Sequence, residues 1–229
     1  MALKIEDVAQ YLGRPVFDIY RRKVGTLVGV YSEVDGTVTA LEIMVSDDKY
    51  ETISAERFEL TQEGLRLVPE WVIEAKKVER KLDTVRKRLK AAEELYKKGQ
   101  IPENVYKEYK NVLIKEYEKV KREAQELKEK LRRKILEIEN FVLHLDKAIT
   151  HLMVSYTAGE IPEQGFKNSI DLLKLSRQAA IDEKKDVEKH LAIIERLESE
   201  AASLSVEESK APAAVSGGPM VVKVVSGSG

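Results

Sequence analysis

From Trp71 onward the apolar positions fall on a seven-residue beat. Trp71, Ala75, Val78, Leu82, Val85, Leu89, Ala92 and Tyr96 step by alternating fours and threes, the spacing that holds one helix face against a partner helix. The beat stops at Lys98-Gly99-Gln100-Ile101-Pro102-Glu103. Glycine takes the left-handed backbone just past a helix end. Proline suits the first turn of the next helix, where its missing N–H has no intrahelical role, and glutamate there meets the positive end of the dipole. The same signal returns sixty residues later, Tyr96-x-x-Gly99-x-Ile101-Pro102-Glu103-x-x-Tyr106-Lys107 matching Tyr156-x-x-Gly159-x-Ile161-Pro162-Glu163-x-x-Phe166-Lys167. Gly99, Pro102, Gly159 and Pro162 therefore mark two tight corners, each closed by an isoleucine and an aromatic. The pattern predicts helices over about 70–98, 102–158 and 162–204, joined as antiparallel neighbours because the connections are short. The first helix is expected to fold back along one half of the second, and the third along the other half.

The second helix carries a stripe of Val105, Tyr109, Val112, Val120, Ala124, Leu127, Leu131, Ile138, Val142, Leu145, Ile149, Leu152 and Tyr156. The third carries Ile170, Leu173, Arg177, Ala180, Lys184, Val187, Leu191 and Ile194, with two charges interrupting the seam. A rod this thin leaves apolar stripe uncovered, so self-association through the rod is expected.

Ahead of Trp71 the period shortens to that of strands. Residues 24–31 and 38–45 read as strands rich in β-branched residues, with Asp35-Gly36 between them as a type I′ hairpin signal. Shorter strands fit 15–18, 50–53 and 65–68. Several short strands with tight turns predict a small barrel closing its own edges. A core below about seventy residues is marginal alone, so residues 1–69 should lean on a partner. The fold class is α+β: a small N-terminal β domain (1–69), a three-helix antiparallel coiled-coil rod (70–204), a linker (205–218) and a terminal peptide (219–229).

The linker is rich in Ser, Glu, Ala, Pro and Gly and is expected to be disordered. Beyond it stand Pro219, Met220, Val221, Val222, Lys223, Val224 and Val225, an apolar β-branched run on a tether. Such a run reads as a strand waiting for an open sheet edge, with Met220, Val222 and Val224 facing one way and Val221, Lys223 and Val225 the other. Docking on the chain's own sheet is the competing reading.

Charge sharpens this division. The 229 residues hold 39 basic and 40 acidic side chains, yet residues 1–70 carry −5, residues 71–158 carry +7 and residues 159–229 carry −3. Two basic runs, Arg86, Lys87, Arg88 and Lys90, then Lys128, Lys130, Arg132, Arg133 and Lys134, contribute to the positive middle. Three readings apply: ion pairs along a coiled coil, attraction between the acidic domain and a neighbouring rod, or phosphate contact with DNA or anionic lipid. No aromatics are interleaved for base stacking and no recognition helix is evident, which ranks DNA third.

Zero cysteines exclude disulfides and thiolate metal sites. The histidines, His144, His151 and His190, have no ligand cluster around them, so no metal and no cofactor is expected. Phosphate-binding, zinc-protease and serine-hydrolase motifs are missing. Carboxylates interleave with Lys and Arg as on a solvated face, and no enzyme activity is expected. No apolar run reaches membrane-spanning length, and the charged start lacks a signal-peptide core. A cytoplasmic protein is expected.

Three stretches resemble the PRC-barrel family of binding and assembly modules: Tyr11-Leu12-Gly13-Arg14-Pro15-Val16-Phe17-Asp18, then Val24-Gly25-Thr26-Leu27-Val28, then Asp35-Gly36-Thr37-Val38-Thr39-Ala40-Leu41. The order of this domain, the rod and the valine-rich terminal peptide resembles the crenarchaeal cell-division family CdvA over the whole chain. The resemblance implies a filament-forming scaffold at the mid-cell division site, near the inner face of the membrane. It implies that residues 219–225 add a strand to a winged-helix-like domain of the ESCRT-III homologue CdvB, which would link the scaffold to the membrane indirectly. It also implies a link to DNA, and a DNA-binding, chromosome-organising coiled coil is the alternative function.

Overall fold

The structure, a computed structural model, describes residues 3–206. The expected linker from residue 207 on and the peptide 219–225 lie outside the described residues. A short helix, α1 (Ile5–Ala9), precedes strands β1 (Pro15–Asp18), β2 (Lys23–Ser32), β3 (Val38–Ser46) and β4 (Lys49–Ser54). A single 3₁₀ turn, Ala55–Arg57, leads into β5 (Phe58–Thr61) and β6 (Gly64–Leu67). Three long helices follow, α2 (Glu70–Lys97), α3 (Glu103–Thr157) and α4 (Glu163–Val206). The fold is α+β, as the sequence pattern predicts.

The six strands hydrogen-bond in the order β4-β3-β2-β1-β6-β5, all antiparallel except β1 with β6. Val16, Leu27, Leu41, Ile43, Ile53, Phe58 and Leu65 nonetheless share one buried cluster, with Val8 of α1 among them. A sheet whose first and last strands both contribute to one core must curl around it. The expected closure of its edges is not complete: no ladder joins β4 to β5, and the 3₁₀ turn alone bridges them. The Asp35-Gly36 turn also differs from the expected type I′. Gly36 N–H donates to Glu33 O at 3.0 Å, and only Gly36, at φ +79°, is left-handed. That is a type I turn followed by a left-handed glycine, the three-residue hairpin form. Thr37 N–H donates to Asp35 Oδ1 at 2.8 Å, and this bond leads the causes that hold the Asp35 carboxyl below its usual range. Gly25 permits β2 to close on β3, since a Cβ there would lie 2.5 Å from Met44 O.

Both helical corners have the same construction. Gln100 N–H donates to Leu95 O at 3.0 Å and Gly99 N–H to Tyr96 O at 2.8 Å, with Gly99 at φ +68°. At the second corner Glu160 reaches Ser155 O and Gly159 reaches Tyr156 O, both at 3.0 Å, with Gly159 at φ +76°. These are Schellman caps, which satisfy carbonyls the helix end would leave orphaned. Tyr96 stacks on Tyr106 at 4.4 Å and Tyr156 on Phe166 at 4.1 Å, pinning each incoming helix to the outgoing one. A Cβ at Gly99 or Gly159 would meet nothing within 4 Å. Gly99→Ala or Gly159→Ala should therefore cost only the left-handed backbone strain, about 1 kcal/mol. Chemical denaturation of each variant checks this; no loss at either corner would mean that the backbone there relaxes freely.

The helices do not share α3 end to end as expected. Glu79 of α2 meets His190 of α4 at 2.6 Å and Arg86 meets Glu200 at 2.9 Å, so α4 runs parallel to α2 for much of its length. Ala75, Leu82, Leu89, Leu113, Tyr117, Leu131, Val187 and Ile194 then form one three-helix core. Beyond it, α3 and α4 continue as a pair towards the second corner. The first turns of α3 also differ from the expected stripe. Tyr106, Lys110, Leu113 and Tyr117 are buried, whereas Val105, Tyr109 and Val112 are exposed. Lys110 can sit inside because its methylene stem packs while its ammonium lies over the Tyr106 ring, 5.7 Å from the centroid.

Candidate functional site

The apolar cores of sheet and bundle are separate clusters, and a polar junction joins them. The β1–β2 turn is the sheet's contribution. Asp18 ends β1 nearly buried, and its Oδ1 accepts the backbone N–H of Tyr20 and of Arg22, both at 2.9 Å. Arg21, at φ +66°, is the one non-glycine with left-handed backbone among the described residues. That conformation costs energy for a side chain with a Cβ, and here it turns Tyr20 and Arg22 onto α4. Arg22 Nε donates to Asp18 Oδ2 and its Nη1 to Glu183 Oε2, each at 2.7 Å. Glu183 is 2 % exposed. Its other oxygen accepts Trp71 Nε1 at 3.3 Å and lies 3.5 Å from Lys134 Nζ. One carboxylate thus ties the sheet to all three helices.

Tyr20 OH donates to Asp186 Oδ2 at 3.2 Å. Burial, reinforced by the charges of Asp186 and Glu183, pushes this phenol far above its usual pKa. Burial opposes the Arg22 charge, but the carboxylates of Glu183 and Asp18 outweigh it and raise the guanidinium further. A raised pKa on an acid that stays neutral in the fold gives stability that is intact below the unfolded value of 10.0 and declines as pH rises beyond it. Tyr20→Phe should therefore flatten the loss of stability above pH 10.0 relative to wild type, measured by denaturant unfolding across the alkaline range.

The basic runs are mostly satisfied within the chain. Arg86 pairs with Asp83 and Glu200, Lys87 with Asp83, Lys128 with Glu198, Lys130 with Glu74, Arg132 with Glu195 and Lys134 with Glu183. Arg88, Lys90 and Arg133 have no carboxylate partner among the described residues. Within the chain the sheet meets the bundle through pairs of both signs, Arg22 on Glu183 of α4 at 2.7 Å and Glu59 of β5 on Lys76 of α2 at 3.6 Å. Among the described residues, no group of three or more potential ligands could hold a metal ion, and no helix is long and apolar enough to cross a membrane.

The four corner residues sit in the two Schellman turns, at opposite ends of α3, and are not brought together with the basic runs. Sequence reasoning missed Asp18, Tyr20, Arg22, Trp71 and Glu183 as a group. One signal was present but off by one position: the seam puts Lys184 inward, whereas its neighbour Glu183 is the buried charge and Lys184 is half-buried on Glu139 at 2.7 Å.

A family model described as the CdvA-like coiled-coil domain matches residues 70–216. The chain is 33 % identical over 204 residues to Cell division protein A of Sulfolobus acidocaldarius, across 89 % of this chain and 85 % of that protein. No solved structure matches. The family model spans the helical bundle, and the relative extends the likeness across most of the chain, so the chain belongs to the CdvA family.

Proposed function

We propose that this chain is a non-enzymatic scaffold of cell division that polymerises through its helical bundle and recruits an ESCRT-III-like protein with residues 219–225. It works at the mid-cell division site, near the inner face of the membrane, which it reaches through that partner. The likeness to Cell division protein A supports the process. The observation that carries the scaffold reading is apolar surface left open at both ends of the bundle. Leu95, Val105, Tyr109 and Val112 lie exposed near the first corner. Leu136, Leu143 and Val154 of α3, with Leu172 and Leu175 of α4, lie exposed towards the second. Two unlike patches at opposite ends favour head-to-tail contacts, and such contacts build open filaments when the rotation does not close a ring.

Sedimentation tests the polymer. Assemblies should persist at high salt, because a Debye length of about 3 Å at 1 M screens exposed charges and leaves apolar contacts intact. Leu172→Lys with Leu175→Lys should shift the protein to smaller species at equal concentration. A monodisperse monomer in both low and high salt would overturn the scaffold reading. A chromosome-organising role through the basic runs draws chiefly on Arg88, Lys90 and Arg133, the members of those runs with no carboxylate partner among the described residues, and a steep salt slope in DNA binding would be its signature.

A further inference from the structure

The strand β4 is an end strand of the sheet, with β3 on one side and no strand on the other. Its open side borders a cleft of about 600 Å³ whose far wall is α2. Residues 51–54 of β4 line it consecutively, so the unpaired strand edge runs along the cleft. Ile53 and Ile73 supply an apolar lining. Glu51, Glu56, Glu70 and Glu74 face it against Arg57 and Lys77, and Glu56 has no ion pair among the described residues. The site thus offers backbone donors and acceptors, an apolar wall and a negative rim. It suits an extended, β-branched, weakly basic peptide.

We propose that residues 219–225 of the same chain occupy this cleft as an added strand on β4 whenever no partner holds them. The inference rests on reading those residues as a strand-adding peptide, and it supplies a regulation of that peptide: self-masking. Composition matches the cleft, since Lys223 is the one charge among valines, Met220 and Pro219. Length matches too, seven residues against the six of β4. The opposite edge, β5, is shorter, at four residues.

Reach is sufficient within one chain. Glu200 lies against Arg86 at 2.9 Å, so α4 at Val206 has travelled only about 9 Å further along the bundle. The cleft lies roughly 25 Å back along the axis from there, and one helix diameter of about 10 Å around it. The twelve residues 207–218 extend to at most about 40 Å. A tether of this size gives an effective concentration of about millimolar. An intrinsic dissociation constant of about 0.1 mM would then keep the peptide docked in about nine chains of ten and weaken partner binding about tenfold.

The absence of cysteine from the sequence makes the test clean. In the full chain, Thr52→Cys is combined in turn with Val221→Cys, Val222→Cys and Lys223→Cys, and each pair is oxidised mildly. Disulfide formation requires Cα atoms within about 7 Å. The expected result is an intrachain bond in at least one pair, formed tenfold faster or more than in controls carrying Val34→Cys at the exposed hairpin tip. Lys223→Glu should slow the bond in the Thr52→Cys/Val222→Cys chain, and the winged-helix-like domain of the ESCRT-III-like partner should slow it as well. Equal rates at positions 52 and 34 would overturn the proposal. Bonds formed only between chains would overturn it in favour of a second copy as the occupant. Calorimetry with the partner domain is a separate readout: bonding without partner binding would sink the recruitment reading alone, and partner binding without bonding would sink self-masking alone.

Discussion

Glu183→Ala should lower unfolding free energy by about 2–4 kcal/mol and loosen the sheet from the bundle. The glutamate is nearly buried and accepts from Arg22 and Trp71 with Lys134 alongside. Removing it leaves the indole N–H without an acceptor and two cations facing a void. Full burial of those cations would put the loss at the upper end of the range for broken ion pairs. Both side chains are 36 % exposed, so water recovers part of it. Glu183→Gln keeps an acceptor but not the charge, and should cost roughly half as much. Trp71 is the only tryptophan in the chain, and its Nε1 donates to Glu183, so its emission reports on this junction directly. A red shift at denaturant concentrations below the helical transition is expected for Glu183→Ala. Unchanged emission together with an unchanged midpoint would mean the junction holds through Tyr20 and Asp186 instead.

This junction shows where the sequence stops being readable. Asp18 and Arg22 are neighbours in the chain, but Glu183 lies 161 positions beyond Arg22. Nothing periodic distinguishes the one carboxylate that becomes buried from the many that line wet faces. The helices are different, because their information is local. The heptad over 71–96 and the repeated Gly-x-Ile-Pro-Glu state where a helix runs, where it ends and how the next begins. The seam of α2 follows directly, with Ala75, Val78, Leu82, Val85, Leu89 and Ala92 all buried.

Structure and local pattern part where a contact from elsewhere in the chain decides between two plausible local arrangements. In α3 the alternatives differ by one position, Val105 and Tyr109 against Tyr106 and Lys110. Stacking of Tyr106 on Tyr96 across the corner selects the second. Hydrophobicity alone favours the first, because it scores lysine as polar and ignores the stem. The overlap of α2 with α4 was legible in the lengths, because 28 and 44 residues folded back from opposite ends of a 55-residue α3 cannot avoid each other. Helix lengths fix how far each runs along α3, but the side on which each lies comes from contacts such as Arg86 with Glu200. In the sheet, β5 has no alternating face to read, since only Phe58 of Phe58-Glu59-Leu60-Thr61 is buried, whereas the equally short β1 and β6 alternate.

Val222→Asp or Val224→Asp should weaken binding of the chain to an ESCRT-III-like winged-helix partner by a hundredfold or more, while Val221→Asp should weaken it far less. In a strand, side chains alternate between faces, so an added strand would send residues 222 and 224 into the partner together and turn residue 221 away. Burying a carboxylate with no counter-charge costs several kcal/mol or forces its protonation, and every 1.4 kcal/mol is about a tenfold change. Proline at position 222 or 224 tests the backbone separately, because it deletes a donor to the partner's edge and leaves an apolar surface in place. Self-masking adds a signature of its own. Glu56→Lys leaves the peptide untouched but makes the β4 cleft less negative, so it should strengthen partner binding, up to about the tenfold set by the tether. Calorimetry with the full chain reads all of these on one scale. Equal losses at positions 221 and 222 would mean that the contact is not a one-sided strand addition. A loss for the aspartates with none for the prolines would mean that the valines bind as an apolar patch, without the ladder.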